Sequence, residues 1–123
     1  MSNWQPIETL TQAERDVIAE RRAQVTREGF TPEHDDAYLD GELSGAAACY
    51  ALKGTNHWAR KQAVGMFWPF SRVWWKPKSP RADLVRAGAL ILAEIERLDR
   101  AAARAAPSQA DITEDLLKKA AKK

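Results

Sequence analysis

Between residues 67 and 81 aromatic rings alternate with cations: Phe67, Trp68, Phe70, Arg72, Trp74, Trp75, Lys76, Lys78 and then Arg81. An aromatic face stacks on a base for about 1–3 kcal/mol, while a neighbouring cation neutralises phosphate. Interleaving the two residue types is what a nucleotide or single-strand site requires. Ser79-Pro80 reads as a helix start and adds free amides suited to a phosphate. Trp68, Arg72, Trp74, Trp75, Lys76, Lys78 and Arg81 are therefore the ligand-binding candidates. The composition suits a protein interface equally well, because Trp, Tyr and Arg dominate interface hot spots. The competing use of these rings is structural: they fill the core of a small helical domain while the lysines reach outward.

A second constellation is acidic. Glu33-His34-Asp35-Asp36, with Asp40 and Glu42, places five carboxylates and an imidazole within ten residues. On a helix Glu33, Asp36 and Asp40 share a face, and oxygen ligands at close range suit magnesium. A magnesium ion held there would bridge to substrate phosphates, as in helical nucleotide pyrophosphohydrolases. The spacing matches no calcium loop, and it lacks the repeated Glu-x-x-Glu pairs of those hydrolases. The structural reading is that acids in a first turn support the helix dipole and that Asp40 caps a helix. His57, beside Trp58 and Arg60, is a lesser phosphate contact. Cys49 lies on an alanine-rich face and reads as a buried structural thiol. The chain has no glycine-rich phosphate loop, no zinc-ligand spacing and no serine-nucleophile motif.

The elements that must position these residues are helical. Thr11-Gln12-Ala13-Glu14 has the form of a capping box, so a helix runs from about residue 12 to Glu28 and stops at Gly29. Its apolar stripe of Val17, Ile18 and Val25 is sparse, with Arg15, Arg22 and Arg27 solvated: an edge helix. Thr31-Pro32 starts a second helix within residues 32–53, where Leu39, Leu43, Ala46, Ala47 and Tyr50 recur at helical spacing. Asp40-Gly41-Glu42 is either a fresh start or a weak point inside it. Gly45 and the alanines after it allow another helix to approach closely. Trp58 to Val64 forms one or two helical turns, and Pro69, Pro77 and Pro80 exclude a long helix through residues 66–80. Ser79 and Pro80 then open the longest helix. Leu84, Gly88, Ile91, Ile95, Leu98 and Ala102 alternate by four and three and predict a buried seam, the spine of the core. Arg86, Glu94 and Arg97 flank it. After Pro107, Ser108 starts a short helix carrying Ile112, Leu116 and Leu117 and ending in Lys118, Lys119, Lys122 and Lys123.

Composition bounds the functional classes. The chain has 123 residues, 45% hydrophobic and 29% charged, with a net charge of +2, so it is no polycation. No stretch approaches the ~20 apolar residues of a membrane span, and no basic-then-apolar leader opens the chain. A single cysteine among 123 residues cannot form an internal disulfide, which fits a reducing cytoplasm. Tryptophan is over-used: five in all, three of them within residues 68–75.

Two segments carry a family resemblance. The first is Glu28-Gly29-Phe30-Thr31-Pro32-Glu33-His34-Asp35-Asp36 with Gly41-Glu42-Leu43 and Ala46-Ala47-Ala48-Cys49-Tyr50-Ala51. The second is Trp68-Pro69 and Trp75-Lys76-Pro77-Lys78 with the run from Arg81-Ala82-Asp83-Leu84 to Asp99-Arg100. Together, over about half the chain, they resemble a family of small proteins encoded by tailed bacteriophages and prophages. The resemblance implies a phage context, an accessory role and the cytoplasm of a bacterial host, and supplies no mechanism.

The expectation is a mostly α protein, a compact bundle of about four helices with a long aromatic-rich loop. Residues 1–106 form one helical domain and residues 107–123 a short C-terminal helix with a lysine-rich end. The leading function is a non-enzymatic accessory module that binds a nucleotide-like ligand or a host protein and antagonises host defence. One alternative is a magnesium-dependent nucleotide hydrolase using Glu33, Asp36 and Asp40; the other is weak single-stranded nucleic-acid binding. Magnesium is the one cofactor considered, and no membrane partner is expected. The seam at residues 84–102 packs inside the molecule or pairs with a second copy in a homodimer.

Overall fold

The computed structural model describes residues 9–55, 59–106 and 109–121. Its elements are α1 (Gln12–Thr26), α2 (Pro32–Asp35), α3 (Glu42–Lys53), α4 (Ala59–Phe67), a 3-10 turn at Arg72–Trp74, α5 (Pro80–Ala105) and α6 (Gln109–Ala121). The protein is mostly α, with no strand among the described residues. His57, Trp58, Pro107, Ser108, Lys122 and Lys123 lie outside the described residues.

Local hydrogen bonds start the helices where the sequence places them. Thr11 Oγ1 accepts from the Glu14 amide at 3.1 Å, and Glu14 Oε1 accepts from the Thr11 amide at 2.9 Å. Thr31 Oγ1 caps α2 through the His34 amide, and Ser79 Oγ caps α5 through the Ala82 amide. Gly29, with φ +74°, carries the chain out of α1. The region after Thr31 is not one helix. α2 is a single turn, and Gly41 at φ +82° reverses the chain before α3 begins. α2 ends at Asp35 with Asp36 as its C-cap, and Asp40 follows in a turn, so Glu33, Asp36 and Asp40 do not share a helical face.

The core lies between α3 and α5, where Leu43, Ala46, Ala47 and Tyr50 meet Ala87, Leu90 and Ala93. Alanines on both helices let the backbones approach closely. α4 crosses α3 at Gly45, where an added Cβ would sit 2.5 Å from the Phe67 carbonyl oxygen. Beside that crossing the buried Cys49 thiol donates to the Ala63 carbonyl at 3.3 Å.

α5 is central, but its buried face is not the expected seam. Asp83, Ala87, Ala89, Leu90, Ala93 and Arg97 are buried. Ile91 and Ile95 are each 49% exposed, Leu98 52% and Leu84 56%. Gly88 faces α1, where an added Cβ would lie 3.2 Å from both Val17 methyls. The alanine face wins because small side chains allow the tightest contact with the small side chains of α3.

Charges, more than apolar side chains, fasten α1 and α2. Arg21 and Gln24 are the buried residues of α1. The Arg21 guanidinium donates to the fully buried Asp35 at 3.0 Å and to Glu96 of α5 at 2.8 Å. Arg100 donates to Asp36 at 2.9 Å, and Arg104 pairs with the same carboxylate. Every described residue of α6 is exposed.

Two substitutions test this packing. Gly45→Ala gains up to ~1 kcal/mol of helix propensity but forces α4 away, for a net loss of about 1–3 kcal/mol in urea denaturation. Asp35→Ala removes the buried partner of Arg21, leaves it only the half-exposed Glu96 carboxylate, and costs about 2–4 kcal/mol. Glu96→Ala removes a half-exposed partner and costs about 1 kcal/mol or less in the same measurement.

Candidate functional site

The link that follows the 3-10 turn runs along α3 and delivers its cations to a cleft between α1 and the first turns of α5. Its anchor is aromatic. The Trp68 and Trp75 rings lie 5.0 Å apart and sit 5.6 and 4.7 Å from the Tyr50 ring. Phe70 packs edge-on against Trp68 and Tyr38. The Trp68 indole N–H donates to the Ser71 carbonyl at 3.1 Å. Both indoles are half-buried and pack against the core. Trp74 faces the other way, 62% exposed, with the Lys76 ammonium 5.7 Å from its ring centroid. That is cation–π range.

The cleft encloses about 340 Å³. α1 contributes Asp16 and Glu20 and its C-cap is Arg27, the link contributes Lys76 and Lys78, and α5 contributes Arg81, Asp83 and Arg86. Five cationic side chains thus line it against three acidic ones. Two of the cations are compensated. Arg81 pairs with Asp16 at 2.8 Å, and Arg86 pairs with Glu28 at 2.7 Å and Glu20 at 3.7 Å. Asp83 is buried, and its carboxylate accepts from the Lys78 amide at 2.8 Å. That leaves Arg27, Lys76 and Lys78 without a carboxylate partner among the described residues.

Tyr50 ties the cleft to the aromatic anchor. Its phenol oxygen accepts from Arg86 at 3.2 Å and from the Lys76 amide at 3.4 Å, and the Arg86 guanidinium lies 5.4 Å from its ring centroid. Burial works against the Arg86 charge, but the Tyr50 hydrogen bond and the Glu28 and Glu20 carboxylates outweigh it and raise its pKa.

Of the residues singled out in the sequence, Lys76, Lys78 and Arg81 come together here, and Trp74 borders them through Lys76. Arg72, on the exposed 3-10 turn, and the packed Trp68 and Trp75 are not among the residues lining the cleft. Sequence reasoning missed Arg27 and Arg86. Asp16, Glu20 and Arg27 recur at helical spacing on α1, so a polar stripe there was the available signal.

The acidic cluster is dispersed. Glu33 and Asp40 are exposed, and the Asp40 amide donates to Glu42 at 2.7 Å. Asp36 is occupied by Arg100 and Arg104. The Arg100 hydrogen bonds foremost, outweighing desolvation, hold its carboxyl below the ordinary carboxylate range. Among the described residues no three His, Cys, Asp or Glu side chains gather so as to hold a metal ion. Burial pushes the Cys49 thiol upward, which suits a packing role and opposes a nucleophilic one. No helix among the described residues is long and apolar enough to cross a membrane. Set against protein-family models, curated proteins and solved structures, the chain matches none of them.

The Asp36 pairing predicts a pH signature. A carboxylate with a depressed folded pKa stabilises the fold above its unfolded pKa of about 3.9, and that contribution is lost as pH falls through the lower folded value. Asp36→Asn therefore lowers the melting temperature at neutral pH, and the gap to the wild type closes in strong acid. Differential scanning fluorimetry across that range measures both.

Proposed function

We propose that this chain is a non-enzymatic helical binding module, a phage or prophage accessory protein, that takes a phosphate-bearing, nucleotide-like ligand in the cleft between α1 and α5. The observation that carries the reading is the convergence of Arg27, Lys76 and Lys78, all without carboxylate partners among the described residues, on one cleft of about 340 Å³. That volume falls in the range of small-molecule pockets, roughly 300–1,000 Å³. Phosphate oxygens answer the two ammonium groups and the Arg27 guanidinium, and Arg81 adds a planar fork at the start of α5. The exposed Trp74 ring beside Lys76 offers a stacking face for a base. The cleft acids Asp16 and Glu20 serve as partners of arginines, which supports binding over hydrolysis. The phage assignment rests on the sequence resemblance. In that setting, in a bacterial host's cytoplasm, sequestering a nucleotide signal would antagonise host defence.

A protein partner is the second reading. Met66, Phe67, Val73 and Trp74 are large apolar side chains left exposed around the end of α4 and the 3-10 turn. Their composition suits an interface hot spot.

Calorimetric titration with ATP, ADP and a cyclic dinucleotide at low and high salt tests the first reading. Binding is expected to weaken with salt. Lys76→Ala/Lys78→Ala should weaken it by about tenfold or more, and Trp74→Ala by a smaller factor, with helicity unchanged. No heat with any nucleotide, or affinity indifferent to the two lysines, overturns it. Nucleotide turnover with added magnesium would establish the hydrolase instead, and a salt-sensitive oligonucleotide shift the single-strand binder.

A further inference from the structure

The acids of the α1–α5 cleft are already engaged, and its spare charge is positive. Asp16 accepts at both oxygens, from the Gln12 side-chain amide at 2.6 Å and from Arg81 at 2.8 Å. Asp83 is buried, and its Oδ1 accepts from the Lys78 amide at 2.8 Å. Glu20 faces Arg86 at 3.7 Å, and the same guanidinium donates to Glu28 and to the Tyr50 phenol. Arg27, Lys76 and Lys78 are exposed on the cleft and have no carboxylate partner among the described residues. The sequence explains why the link brings uncompensated charge. From residue 43 to residue 82 the chain contains no Asp or Glu, while seven Lys and Arg fall within the same stretch. No acid near Lys76 or Lys78 in sequence is on hand to neutralise them.

We propose that the cleft takes a nucleoside di- or triphosphate in its metal-free form, and that magnesium competes with the cleft for this ligand. This rests on the nucleotide reading of the cleft and narrows it by charge. At neutral pH a terminal phosphate carries about −1.5 to −2, and each inner phosphate of a chain adds about −1. A di- or triphosphate tail thus answers Arg27, Lys76 and Lys78 together, whereas a monophosphate leaves one of them unanswered. Magnesium chelated along the tail reverses the balance. It cancels two negative charges, occupies oxygens that the ammonium groups would otherwise take, and keeps several waters in a rigid octahedral shell. A site built for the magnesium complex offers the ion one or two carboxylates. Here Asp16 and Asp83 are bonded to donors, and a dication drawn to Glu20 also meets Arg86. Like charges at that range repel.

Calorimetric titration of the full chain with ATP, ADP and AMP, each in EDTA and in millimolar magnesium at matched ionic strength, tests the assignment. In EDTA, ATP and ADP are expected to bind more tightly than AMP. Magnesium should weaken ATP binding by about tenfold or more, and leave AMP, which chelates the ion poorly, within about twofold. Arg27→Gln removes one of the three free charges from an exposed position, so it should lower the affinity for ATP more than that for AMP, with far-UV helicity retained. ATP affinity that is unchanged or higher in magnesium overturns the metal-free assignment and leaves the nucleotide reading standing. AMP bound as tightly as ATP in EDTA overturns the choice of a di- or triphosphate. No heat with any of the three in EDTA overturns the assignment and the nucleotide reading together.

Discussion

One guanidinium organises the junction of three helices. Arg21 leaves water to meet Asp35 of α2, Glu96 of α5 and the Phe30 carbonyl between α1 and α2, and both of its carboxylate partners are distant in sequence. Burying a charge is tolerable only when its donors are answered, so the position of α2 and the seating of α1 on α5 are both conditions of that burial. With only Val17, Ile18 and Val25 as its apolar stripe, α1 is held on α5 also by the Asp16–Arg81 and Glu20–Arg86 pairs and by Val17 packed on Gly88. The cleft inherits this constraint. Asp16, Glu20 and Arg27 face Arg81 and Arg86 because α1 is held along α5.

The second constraint is the closeness of α3 to its neighbours. Ala46, Ala47, Ala87 and Ala93 remove the side-chain bulk that normally separates two helices, and Gly45 does the same for α4. Such packing gains many dispersion contacts from small groups. Of the larger aliphatics of α5, Leu90 is taken into that contact, while Leu84, Ile91, Ile95 and Leu98 stay about half exposed.

The aromatic residues divide their work. Trp68 and Trp75 clamp onto Tyr50 and hold the proline-containing link against α3. The same Tyr50 phenol accepts from Arg86 and from the Lys76 amide. The ring cluster thereby sets the reach of Lys76 and Lys78 into the cleft, while Trp74, one residue from Trp75, stays in solvent. The adjacent tryptophans take opposite roles where the backbone changes: Trp74 ends the 3-10 turn and Trp75 opens the extended link.

Helix starts and breaks were legible in the residues themselves. Thr11 with Glu14, Thr31 with His34 and Ser79 with Ala82 close hydrogen bonds over three residues, and Gly29 and Gly41 tolerate positive φ; all of these are short-range effects. Lys76, Lys78 and Arg81 were legible for the same reason, because they share one short segment. The tertiary structure decided what depends on distant partners. Spacing by four and three marks two faces of α5, and only contact with the alanines of α3 chose between them. Charge balance was likewise hidden, since Arg86 finds Glu28 across 58 residues and Arg100 finds Asp36 across 64. Which cations stay uncompensated, and whether carboxylates cluster or disperse, are properties of that long-range pairing.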